Sequence, residues 1–250
     1  MDRLVKKNLL INKVVLITGA SSGLGKTFAN FFLSQNAQVV VCARRSNLLK
    51  KFYKGKSNVY FKKVDLTNPL EIRQFIKIIY KKFKKIDVLI NNAAIAEKFK
   101  VEKTDYKKLK KAFEVNLFAP TLLIKECLKT MKKNNYGRII NVSSGGSVNC
   151  AENFFSYSAT KAAVNTLTRT LSKEVGKYNI KVNTMSPGPC KTEMFPENKL
   201  STKLSLPTIE YLATLPKSGP TGEFFWFMKK INIFSNLNNI NWSKPPTKKV

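Results

Sequence analysis

The order of the pieces in residues 13–36 constrains this chain more than any other stretch. Lys13 to Thr18, KVVLIT, is a short β-branched run that reads as a buried strand. It turns directly into TGASSGLG, Thr18 to Gly25, and then into a helix, KTFANFFLSQN. Glycines alone are a weak signal, because any turn uses them. Between a strand and a helix they carry more. The bare backbone lets a ligand's pyrophosphate come close, and the helix N-terminus offers free N–H groups and a positive dipole end.

The rest of the chain repeats this alternation. Strands are expected at Gln38–Cys42, Val59–Val64, Asp87–Ile90, Arg138–Val142 and Lys181–Met185. Helices are expected at Asn47–Tyr53, Pro69–Phe83, within Lys103–Lys133 and at Phe155–Lys173. Six such repeats predict an α/β fold: a single-domain, Rossmann-like, doubly wound parallel sheet with helices on both faces. Ligands of such sheets bind outside the carboxyl ends of the strands. Thr18–Gly25, Arg44, Asp65, Asn91–Ala94, Ser144 and Pro187–Thr192 all fall at such ends. The domain is expected to span 1–231, with a core at 13–190 and a polar flap at Glu193–Leu206. A short helix at Thr208–Leu215 and a turn with a last strand in Gly219–Phe227 follow. The tail, 232–250, is rich in Asn, Lys and Pro and is expected to be poorly ordered.

The helix at Phe155–Lys173 carries Tyr157 and Lys161 four residues apart, hence on one face. An ammonium beside a phenol favours phenolate, so the Tyr157 pKa is expected to fall from about 10 toward working pH. A phenol tuned in this way can exchange a proton with a carbonyl or alcohol oxygen. The chain has no histidine, which excludes Ser–His–Asp and Cys–His catalysis and the usual zinc hydrolase sites. Its four cysteines are scattered without a CxxC pair, which suits a reducing cytoplasm rather than a structural zinc site. No apolar run reaches membrane-spanning length, and the N-terminus is a poor signal peptide.

A net charge of +30 raises the question of nucleic acid. The cations are mostly lysines dispersed on polar helix faces, such as Lys81, Lys82, Lys84 and Lys85, without an RNP, zinc-finger or basic-zipper pattern. No specific nucleic-acid partner is expected. The second strand ends in Ala43, Arg44 and Arg45, where a site for NAD would place an acid on the ribose 2′-hydroxyl. Two arginines suit a 2′-phosphate, so NADPH or NADP is expected ahead of NAD.

TGASSGLG, NNAA, Asn116 within EVNLFA, Ser144, YSATK and SPGPCKT, in this order over about residues 13–230, resemble the short-chain dehydrogenase/reductase family. Ser144 and Tyr157 also stand at that family's customary separation. The end, YLATLPKSGPTGEFF, is similar to its carbonyl-reductase-like members. The resemblance implies that Tyr157 is the general acid, that Lys161 lowers its pKa and holds the nicotinamide ribose, and that Ser144 orients the substrate oxygen. It also implies that Asn116 holds a water in a proton relay. Thr18, Gly19, Ser21, Ser22, Gly23, Leu24 and Gly25 would line the phosphate and ribose edge. Asp65 and Leu66 would meet adenine. Asn91, Asn92 and Ala93 would border the adenosine side, and Pro187, Gly188 and Thr192 would fix the carboxamide. Cys190, where the family tends to have a larger apolar residue, would line the substrate pocket.

These roles make a small carbonyl compound the expected substrate. The family insertion associated with monomers is missing, so a homodimer or homotetramer is expected. Two other functions fit parts of the pattern: an NAD-dependent alcohol dehydrogenase, and a non-enzymatic dinucleotide-binding or RNA-associated protein. The arginines disfavour the first, and the complete Asn116–Ser144–Tyr157–Lys161 set disfavours the second.

Overall fold

The computed structural model describes residues 9–235. One sheet of eight strands runs through them in the order β3-β2-β1-β4-β5-β6-β7-β8. The strands are β1 (Val14–Thr18), β2 (Gln38–Ala43), β3 (Val59–Lys63), β4 (Val88–Asn91), β5 (Gly137–Val142), β6 (Ile180–Ser186), β7 (Phe224–Trp226) and β8 (Lys229–Ile231). Between them run the helices α1 (Gly23–Ser34), α2 (Ser46–Tyr53), α3 (Pro69–Phe83), α4 (Tyr106–Phe113), α5 (Ala119–Lys133), α6 (Gly146–Asn149), α7 (Phe155–Glu174) and α8 (Leu206–Ala213). None of the described helices is long and apolar enough to cross a membrane.

The strand sequences explain their positions. β1 is buried along its whole length, with Val15 and Ile17 on one face and Val14 and Leu16 on the other. Phe28 and Phe32 of α1, Leu49 of α2 and Leu212 of α8 cover the first face. Phe75 of α3, Leu123 of α5 and Leu171 of α7 cover the second. A parallel sheet sandwiched in this way needs apolar residues on both faces of its central strands, which is why they read as continuous runs. β3 is a half-buried edge ending in Lys62 and the exposed Lys63, where charge discourages further pairing.

All pairings are parallel until the last. The expected final strand is followed by β8, which returns antiparallel to it. The turn between them is Phe227–Met228, both at positive φ (43° and 67°). Two such residues suit the tight hairpin turn normally built from Asn-Gly, so the composition concealed this hairpin. The Phe227 ring lies against Gly188 and fills the space that a side chain there would need. Segment 193–206 is not wholly a loop. It contains a 3-10 turn at Thr202–Ser205, and α8 starts two residues earlier than expected, with Pro207 in its first turn. The expected tail lies outside the described residues from position 236 onward, as do positions 1–8 of the N-terminal stretch.

Candidate active site

The parallel register brings Thr18, Ala43, Asn91, Val142 and Ser186 to one edge of the sheet. A cavity of about 1190 Å³ opens over this edge. That exceeds the usual 300–1,000 Å³ of a single small-ligand pocket and leaves room for two reactants. Its wall begins at the glycine-rich turn. Gly19 has φ +70°, and a Cβ there would stand 2.8 Å from the Ala93 backbone. A Cβ on Gly25 would collide with the Gly19 carbonyl. Helix α1 starts with no side-chain cap, because Ser22 is turned toward Arg45 instead. Bare backbone and open helix N–H groups fit a pyrophosphate, so the residues present suit a dinucleotide.

Three expected contact residues stand behind this wall rather than on it. The Thr18 hydroxyl accepts from the N–H groups of Asn92 and Ala93, each at 3.0 Å, and so ties β1 to the loop after β4. The Asn91 amide points into the sheet and donates to Asn141 at 2.8 Å. Asn116 lies in a π-helical segment, Glu114–Phe118, and is buried. Its amide exchanges hydrogen bonds with the N–H and carbonyl of Ile95, both 2.9 Å, and donates to Thr160 at 3.0 Å. Both of its N–H donors are used, so the side chain clamps the cavity loop. The other expected residues line the cavity: Ser21 to Gly25, Arg44, Arg45, Asp65, Leu66, Asn92, Ala93, Ser144, Tyr157, Lys161, Pro187, Gly188, Cys190 and Thr192.

At the inner end, α7 presents Tyr157 and Lys161, both buried. Lys161 Nζ donates to the Val142 carbonyl at 2.6 Å and lies 5.6 Å from the Tyr157 ring centre. Ser144 Oγ accepts from the Gly146 N–H at 3.1 Å and lies beside the Tyr157 hydroxyl. Burial pushes the Tyr157 phenol above its ordinary pKa, with the Ser144 hydrogen bond opposing. The expected fall toward working pH is not found: taking the phenolate out of water outweighs the Ser144 hydrogen bond. Burial also lowers Lys161, from 10.5 to about 8.

At the outer end the charges are exposed. Arg45 donates to Ser21 Oγ at 3.2 Å, to Ser22 Oγ at 2.6 Å and to the Glu193 carboxylate at 2.6 Å. Asp65 accepts from the Thr67 N–H and hydroxyl. These bonds outweigh its partial burial and, with Arg44 and Lys111 nearby, hold it below the usual carboxylate range.

Several lining residues were not anticipated. The rings of Phe154, Tyr157 and Phe195 meet at 6.0–6.4 Å and form an aromatic corner around the phenol. Ser158 Oγ is buried on the cavity wall without a hydrogen-bond partner among the described residues. Glu193 had one usable signal, its rarity: the chain has 15 acids against 45 Lys and Arg. Phe154 and Phe195 had none, since 17 phenylalanines make any one of them unremarkable as a marker.

The model of the short chain dehydrogenase family matches residues 13–202. An uncharacterized oxidoreductase of Staphylococcus saprophyticus is 36% identical over 192 residues, which cover 75% of this chain and 78% of that protein. Among solved structures, the 3-ketoacyl-(acyl-carrier-protein) reductase of Brucella melitensis, complexed with NADH, superposes with a TM-score of 0.82 at 24% identity. The overlap covers 87% of this chain and 97% of that one. A Beutenbergia cavernae protein with bound NADP superposes with a TM-score of 0.80 at 22% identity, covering 87% and 96%. These two likenesses concern the fold, and the two cofactors differ between them. The sequence match over most of the chain, carried on this sheet and cavity edge, makes the chain a member of the short-chain dehydrogenase/reductase family of oxidoreductases.

Proposed function

We propose that the chain is an NADP-dependent reductase that converts a ketone or aldehyde to the alcohol. The observation that carries this reading is the meeting of Ser144, Tyr157 and Lys161 at one end of a cavity whose other end is the bare glycine-rich turn. When bound, the dinucleotide supplies the hydride. Ser144 holds the substrate oxygen, and Tyr157 gives it a proton from the phenol hydroxyl. A phenol held protonated by burial supports the reductive direction, in which it acts as the acid. Lys161, with its pKa at about 8, is mostly charged at neutral pH and can hold the ribose hydroxyls. Asn116 serves by fixing the Ile95 loop that borders the cavity.

Arg44, exposed at the end of β2, meets the 2′-phosphate. Phe154, Phe195, Val148 and Met194 line the substrate side and favour an apolar carbonyl compound, which Cys190 also borders. Four unpaired cysteines support a reducing compartment, the cytoplasm. Exposed Tyr106, Phe118 and Phe155 support self-association.

The test is NADPH oxidation across a panel of apolar ketones and aldehydes, with Tyr157→Phe as the control. Turnover in the variant should fall by roughly 10²–10⁴-fold, with NADP⁺ affinity retained. Near-normal turnover in a folded Tyr157→Phe protein would overturn the mechanism.

A further inference from the structure

We infer that Glu193 sets how far the site favours a dinucleotide carrying a 2′-phosphate, by competing with that phosphate for Arg45. This rests on the NADP reading above. One guanidinium joins three partners that belong to two separate parts of the chain. Its Nε and Nη2 reach Ser21 and Ser22 of the glycine-rich turn, and its Nη1 reaches Glu193, the residue after Thr192. All four residues line the same end of the cavity as Arg44.

A phosphate monoester carries about −1.5 to −2 charges at neutral pH and engages arginine through two oxygens. A phosphate arriving between Arg44 and the two serines therefore meets an Arg45 fork already bonded to a carboxylate. The two anions repel, and one must leave. Glu193 is the one that can move. Its side chain is 60% exposed and that of Arg45 is 45% exposed, so their attachment is weak and salt-screened. A dinucleotide with a free 2′-hydroxyl brings no second anion and leaves the pair intact. Glu193 thus lowers affinity for the phosphorylated cofactor alone.

Displacing Glu193 also frees the contact that holds the 192–205 segment against the turn from β2 to α2. The 2.8 Å hydrogen bond between the Thr202 hydroxyl and that of Thr27 on α1 remains.

The experiment is isothermal titration of the full chain with adenosine 2′,5′-bisphosphate and with AMP, which differ by the phosphate in question. Wild type, Glu193→Gln, Arg45→Ala and the double variant are compared at fixed ionic strength. Glu193→Gln should tighten the bisphosphate by about two- to fivefold and leave AMP unchanged. The gain should vanish in the Arg45→Ala background. Unchanged or weaker bisphosphate binding in Glu193→Gln overturns the inference, as does an equal gain for AMP. Glu193→Ala repeats the comparison should the Gln variant fold poorly. A wild type that binds bisphosphate no better than AMP defeats the NADP reading itself. A wild type with the preference but no gain on substitution defeats only the role of Glu193.

Discussion

The two ends of the cavity hold the same kinds of groups under opposite conditions. At the inner end, Lys161 and Tyr157 are removed from water, and each is moved from its ordinary pKa toward its neutral form. At the outer end, Arg45 and Glu193 stand in solvent, and Glu193 is moved toward its charged form by its hydrogen bond to Arg45. Desolvation dominates where water is excluded, and pairing dominates where it is not. The inner end therefore suits proton transfer, which needs groups that can become neutral. The outer end suits reversible binding of an anion, which needs charges that persist and partners that exchange.

The largest effect expected from this contrast is the loss of turnover in Tyr157→Phe, because no exposed group can replace a positioned donor. The next concerns Lys161. Its folded pKa of about 8 lies below the ordinary 10.5. Between those values the unfolded chain holds the proton and the folded one releases it, so stability should rise with pH across this window. Below about pH 8 both states are charged, and the full penalty of burying the ammonium is present. The rise amounts to about 3 kcal/mol, an order-of-magnitude figure. Above about pH 10 the raised Tyr157 works in the other direction, since the folded chain then keeps the proton longer. Urea unfolding of wild type and Lys161→Met across pH 7–10.5 measures this, and an undiminished rise in the variant would refute the assignment.

Arg44→Ala should weaken NADP⁺ by roughly ten- to hundredfold, the worth of one charge-assisted hydrogen bond, and leave NADH nearly untouched. Paired dissociation constants decide it. A wild type that already prefers NADH would return both arginines to the general surface charge. The smallest effect is on stability at the outer end. A double-mutant cycle on Arg45 and Glu193 should give a coupling of about 0.2–1 kcal/mol that fades in high salt. A coupling near that of a buried pair would erase the distinction between the two ends.

What near neighbours decide was legible in the sequence. The β-branched runs named the central strands, and Pro69–Phe83 has the same limits in sequence and structure because Asn68 caps it and Pro69 opens it. The four-residue spacing of Tyr157 and Lys161 placed them on one helix face. The glycine-rich turn, the strand ends and the missing histidines narrowed the chemistry before any fold was drawn.

Tertiary structure alone decided the rest. It turned the Tyr157 pKa upward, because burial depends on what packs around the phenol, Phe154 and Phe195 among them, and not on the helix that carries it. It spent the Asn116 amide on Ile95, set Asn91 and Thr18 behind the wall, and hid a hairpin in Phe227–Met228. It joined Arg45 to an acid 148 residues away. Local pattern is written in side chains a few residues apart, whereas desolvation and hydrogen-bond partnership are set by whatever the folded sheet brings to the same edge.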